Sequence, residues 1–204
     1  MQKARVVNNS FEHWQPILES WLEELGIASL YSEGSDAAYL HLEQGNTHLL
    51  SVSAAKSGYA TMQEVIGKPK DGLTKRRLDL CIFDESHLEL VEAKWYEFLG
   101  SKINKSDHNY QMKLALNDVD NYRNDSKLFL RKHAKTGVVY CTPYFHVVPS
   151  EEELKSLVEH LVSEIEIDAW AFSFIPKDRK LNYHCEGRIY PGVIILIKGL
   201  RESS

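Results

Sequence analysis

Two short apolar runs joined by a polar tetrad constrain this chain more than any other feature. Arg77-Leu78-Asp79-Leu80-Cys81-Ile82-Phe83-Asp84 and His87-Leu88-Glu89-Leu90-Val91-Glu92-Ala93-Lys94-Trp95 are both β-compatible, and Asp84-Glu85-Ser86-His87 suits a tight connection between them. An antiparallel hairpin is the expected structure. With the connection centred on Glu85-Ser86, Phe83 pairs with Leu88, Cys81 with Leu90 and Asp79 with Glu92, all on one sheet face. The period of two puts Lys94 on that face too and turns Ala93 to the other. Cross-strand Cβ atoms there lie about 4.5–5.5 Å apart, so the two carboxylates repel unless a cation joins them. A hard divalent ion such as Mg²⁺ takes carboxylate oxygens and keeps water ligands for chemistry, which makes this a candidate metal site. The competing interpretation is a solvated hairpin on which Glu-x-Lys merely keeps an exposed face wet. Against it, Glu92 and Lys94 extend a face begun by apolar Leu88 and Leu90.

Asp79, followed by Glu92-Ala93-Lys94 at the end of the next strand, resembles the PD-(D/E)XK nuclease superfamily over about positions 59–148. Leu78 stands where that pattern usually has proline. The resemblance implies an α/β, restriction-endonuclease-like fold: an αβββαβ core whose mixed central sheet is flanked by helices, here with an extra C-terminal helix and strands. It implies a nuclease dependent on Mg²⁺, or on Mn²⁺, that hydrolyses phosphodiester bonds of DNA more often than RNA. In the family's pattern Asp79, Glu92 and the backbone carbonyl of Ala93 hold the metal, and Lys94 assists the attacking water. A further acidic ligand is expected on the helix before the first core strand, and Glu43 is chosen for it over Glu24, Glu33 and Glu64. Cutting both strands of a duplex would favour a homodimer. The alternative is a catalytically inactive nuclease fold that binds protein or nucleic acid in a defence or mobile-element system. A third reading is an α/β interaction domain unrelated to nucleases.

At 204 residues the chain is expected to be one domain, with an N-terminal helical part (1–57), the core, and a C-terminal elaboration (149–204). Its net charge of -5 argues against a protein that grips nucleic acid over its whole surface. Lys68, Lys70, Lys75, Arg76 and Arg77 nevertheless cluster just before Asp79, as a basic loop expected at the mouth of the site. Lys75, Arg76 and Arg77 are the candidates for phosphate contact, against a simple solvated loop. Cys81, Cys141 and Cys185 form no Cys-x-x-Cys pair and fit a reducing compartment, the first two as small core residues. His184-Cys185 would point to opposite faces of a strand, and the nine histidines show no ligand spacing such as His-x-x-x-His. With no apolar run near the roughly twenty residues of a membrane span, a cytoplasmic protein without a membrane partner is expected.

Along the chain, Ser10 reads as the N-cap of a helix to about Leu25, with Trp14, Leu18, Trp21, Leu22 and Leu25 as its core stripe and Gly26 as its end. Residues 35–44 and 48–56 read as helical pieces broken near Gly45-Asn46, with Gly58 closing the second. Residues 59–66 read as the first core strand. A helix over about 107–133 is expected to bury Met112, Ala115, Val119 and Tyr122 while Asn117-Asp118 and Asp120-Asn121 face solvent without a catalytic role. Residues 137–141 read as a strand, and Ser150 with Glu153 as a capping box for a helix to about Ile165. Residues 169–174 and 192–198 read as strands, with a loop or hairpin over 176–190 between them.

Overall fold

The computed structural model describes residues 1–31, 42–69, 76–102, 105–123, 133–164, 166–175 and 183–200. The predicted hairpin forms from β3 (Arg76–Phe83) and β4 (Leu88–Leu99), with Phe83 opposite Leu88 and Cys81 opposite Leu90 as expected. Its turn closes because the Asp84 carboxylate accepts the Ser86 and His87 N–H groups at 2.7 and 2.6 Å. In front of it lie β1 (Gln2–Val6), α1 (Trp14–Tyr31), α2 (Leu42–Lys56) and β2 (Ala60–Pro69). Behind it come α3 (Lys105–Asn121), the short β5 (Tyr122–Arg123), β6 (Ala134–Tyr144) and α4 (Glu151–Glu164). The chain ends with β7 (Ala169–Phe174), a small hairpin of β8 (Tyr183–Cys185) and β9 (Arg188–Tyr190), and β10 (Gly192–Gly199).

Eight strands form one open mixed sheet in the order β1-β7-β10-β6-β4-β3-β2-β5, in which β4 and β6 run parallel and the other neighbours antiparallel. Helices cover both faces, so central strands read as nearly continuous apolar runs such as Val193-Ile194-Ile195-Leu196-Ile197. Val138, Tyr140, Ile195 and Ile197 meet the helices α1 and α2. The alternate residues Val139, Cys141, Ile194 and Leu196 meet α4 and Met112 of α3. A smaller cluster packs Val119 and Tyr122 on Leu78, Cys81, Leu88 and Leu90. Among the described residues no helix is long and apolar enough to cross a membrane.

The expected core stripe of α1 is buried throughout, and Cys81 and Cys141 are buried free thiols. The capping box is formed: Ser150 accepts the Glu153 N–H at 3.2 Å and Glu153 accepts that of Ser150 at 2.7 Å. Several boundaries differ from the expectations. Asn8, not Ser10, caps a single 3-10 turn, and α1 starts at Trp14. Gly26 does not end α1, since the buried stripe outweighs a cost of about 1 kcal/mol for one helical glycine. Nor does α2 break at Gly45-Asn46, because the buried Asn46 amide donates back to the Leu42 carbonyl at 2.7 Å. Helix α3 stops at Asn121, where Tyr122 and Arg123 pair with β2 and the Tyr122 hydroxyl donates to the Val65 carbonyl. Arg76 and Arg77 open β3 rather than sit on a loop, and β1 adds an edge strand to the part read as helical. Lys70, Lys75, Glu33 and the segments 35–41 and 124–132 lie outside the described residues.

Candidate carboxylate and lysine site

One interruption in the sheet creates the site. The β2–β3 ladder runs in a single register from Ala60↔Phe83 to Gly67↔Arg76 but omits Glu64 and Asp79, and Glu64 has a left-handed backbone (φ 53). Such a conformation is uncommon for a residue with a Cβ and marks a locally distorted strand. The distortion turns β3 about its own axis: Leu80 and Ile82 pack toward α1 and α2, whereas Leu78 packs with Val119 and Tyr122. On the other side, the β3–β4 ladder ends at Leu80↔Val91, so the expected Asp79–Glu92 pair is not formed as a ladder pair.

Beyond that point β4 loses β3 as a partner along one edge, and two carboxylates replace the departed strand. Asp79 Oδ2 accepts the Ala93 N–H at 2.7 Å. Glu43, in the first turn of α2, accepts the N–H of Trp95. A strand residue's N–H and C=O point to the same edge, so the Ala93 carbonyl faces this gap as well. Asp79 therefore looks into the gap and toward α2, not onto the face shared by Cys81 and Leu90. It lines a cleft of about 380 Å³ together with Glu43, Thr47, His48, Gln63, Glu64 and Arg77.

Glu92 and Lys94 do not line that cleft. Glu92 is buried, and its Oε1 accepts from Lys94 Nζ at 3.0 Å. The same ammonium lies 3.2 Å from Asp118 Oδ2 on α3, and Arg76 also donates to Asp118. Asp118, expected to face solvent without a role, thus anchors both cations beside the site. Arg77 pairs with Glu64 at 3.1 Å, so two of the basic candidates flank the acidic cluster. Glu24 pairs with Lys56 on the outer helices.

All three acidic side chains resist ionisation. Burial and the Asp79 charge push the Glu92 carboxyl up to about 7. Burial raises Asp79 against the pull of the Ala93 N–H and Lys94, and burial together with Asp79 raises Glu43. Lys94 is held above its ordinary value: burial works against its charge, but Glu92, Glu43 and Asp118 outweigh it. A half-buried nest of three carboxylates with one ammonium has an excess of negative charge, and an oxygen-seeking cation would relieve it.

The carboxylates of Glu43, Asp79 and Glu92 influence one another without closing into a tight triad. Among the described residues, the one set of three metal-ligating groups whose atoms all lie within 4.8 Å is His13, His87 and Glu89. No spacing rule pointed to it, because His13 and His87 come from distant parts of the chain; the local signal was His87-x-Glu89, two ligands on one side of a strand start. The chain matches no family model, no curated protein and no solved structure.

Proposed function

We propose that this protein is a metal-dependent nuclease of the PD-(D/E)XK kind that hydrolyses phosphodiester bonds, DNA being the favoured substrate. The observation that carries the proposal is that Glu43 and Asp79 take the Trp95 and Ala93 N–H groups where β3 and β4 part, while the bonded pair Glu92 and Lys94 stands on the same stretch of β4, with every carboxyl raised by burial and by its neighbours. The order α2-β2-β3-β4-α3-β5-β6, in which β5 is a two-residue strand at the sheet edge and β4 and β6 run parallel, supports the same reading.

The donors are hard oxygens, which suit Mg²⁺ or Mn²⁺. Asp79, Glu92 and the Ala93 carbonyl would hold the ion, with Glu43 reaching from α2. When bound, it supplies Lewis-acid polarisation of the phosphodiester and a water of lowered pKa. Lys94 is an ammonium at neutral pH, so its role is to orient the attacking water and offset charge that grows on the phosphoryl oxygens, rather than to remove a proton. Arg77, at the cleft wall, and Arg76, paired with Asp118 on α3, would meet phosphate.

The test is cleavage of single-stranded, duplex and branched DNA and of RNA with Mg²⁺ or Mn²⁺, comparing the native chain with Asp79→Ala. Metal-dependent cutting that disappears in the variant is expected. Cutting that survives Asp79→Ala, or none by the native chain on any substrate, overturns the proposal; the latter favours a binding module.

A further inference from the structure

Glu89 lies near the start of β4, between Ile82 of β3 and Ala134 of β6, and is fully buried. A carboxylate in the middle of a sheet loses its hydration and needs positive charge or several donors nearby. Its two oxygens are treated differently. Oε1 accepts from the Trp14 indole N–H at 3.0 Å and from the Thr136 hydroxyl. Oε2 is approached by the Nε2 atoms of two imidazoles, His13 at 2.6 Å and His87 at 3.1 Å, whose ring centroids are 4.4 Å apart.

Two imidazoles aimed through the same nitrogen at one carboxylate oxygen bring three metal-ligating atoms together within 4.8 Å. In a tetrahedral zinc site, N and O ligands about 2.0–2.1 Å from the ion stand roughly 3.3 Å from each other. The observed separations of 2.6 and 3.1 Å need to widen by well under an ångström. The third pair, the two imidazole nitrogens, lies within 4.8 Å. Oε1 is fixed by Trp14 and Thr136, the kind of outer hydrogen bonding that holds a ligating carboxylate in place. His13 and His87 keep 19 % and 29 % of their side-chain surface exposed, which leaves an entry path and room for a water as fourth ligand. Imidazole nitrogen selects a borderline transition-metal ion and disfavours Mg²⁺.

We infer that His13, His87 and Glu89 form a Zn²⁺ site, distinct from the Glu43, Asp79 and Glu92 cluster. Bound there, the ion ties the segment that leads into α1 to the β3–β4 turn and to β4. These ligands come together only in the folded chain, so Zn²⁺ binds that state in preference to the unfolded one and raises thermal stability. The site is independent of nuclease activity and stands or falls separately from it.

The experiment is calorimetric titration of the metal-stripped native chain with ZnCl₂, beside His13→Asn/His87→Asn and Asp79→Asn. Both histidines are partly exposed, so the double variant should fold, which circular dichroism checks. The expected result is one equivalent of Zn²⁺ bound by Asp79→Asn, in which the carboxylate cluster is disabled, and an equivalent of matching affinity in the native chain that weakens at least about a hundredfold in the histidine variant. Co²⁺ added to Asp79→Asn, whose histidines are untouched, should give the visible absorption of a four-coordinate ion. No binding at micromolar Zn²⁺, equal binding by the histidine variant, or an octahedral Co²⁺ spectrum overturns the inference.

Discussion

Replacing Lys94 by alanine should lower metal-dependent cleavage by at least about 10²–10³-fold while the fold and nucleic-acid binding persist. The Lys94 ammonium is the cation bonded to Glu92 and stands within 3.2 Å of Asp118, so it is held at the site by two elements. Without it the buried Glu92 carboxylate loses its partner. Glu92 can answer by keeping a proton, since its carboxyl already sits at about 7, and this spares the structure a naked buried charge. The loss should therefore fall on turnover and not on folding, as read by single-turnover cleavage beside circular dichroism and filter binding. Unchanged turnover would remove Lys94 from the mechanism.

The second large effect is on stability against pH. Glu92 is raised from 4.5 to about 7 in the folded chain. Below 4.5 both states hold the proton and nothing is lost. Between 4.5 and 7 the unfolded chain ionises while the folded one does not, so stability falls as pH rises. From Glu92 alone the fall reaches about 3 kcal/mol by pH 7.5. Asp79 and Glu43 are raised as well and act in the same sense. Two histidines titrate nearby with opposite signs: His87, raised chiefly by its hydrogen bond to Glu89, loses stability as pH rises, and His108, lowered by burial to about 4, gains it. The difference between the native chain and Glu92→Gln isolates the carboxylate. In metal-free buffer the variant should gain on the native chain in Tm from pH 5 to pH 7.5. Saturating Mg²⁺ should close that gap, because the ion binds the ionised form, and its affinity should grow with pH up to about 7. Parallel Tm curves for the two proteins would show that Glu92 is not under this strain.

The hairpin was legible because its signal is local: alternating apolar residues and a four-residue polar turn fix which residues pair, and Phe83–Leu88 and Cys81–Leu90 do pair. The core stripe of α1 and the Ser150–Glu153 box follow from equally short-range rules. Asp79's orientation was not legible. The alternation that placed it beside Cys81 assumes an unbroken strand, and the left-handed Glu64 opposite it breaks the ladder. Asp118 was misread because it sits among polar residues that look like a wet helix face, while its partners Lys94 and Arg76 come from other elements. Glu43, chosen only as an acid on the helix before β2, does reach the cleft beside Asp79. Charge clusters assembled by tertiary structure, such as His13 with His87 and Glu89, leave little trace in linear spacing.

The most direct test of the central claim is anomalous diffraction from crystals soaked in MnCl₂. The account predicts a manganese peak in the gap between β3 and β4, bonded to Asp79, Glu92 and the Ala93 carbonyl at about 2.0–2.6 Å. Manganese absent from that gap, with peaks only at His13, His87 and Glu89 or on the outer surface, would contradict it.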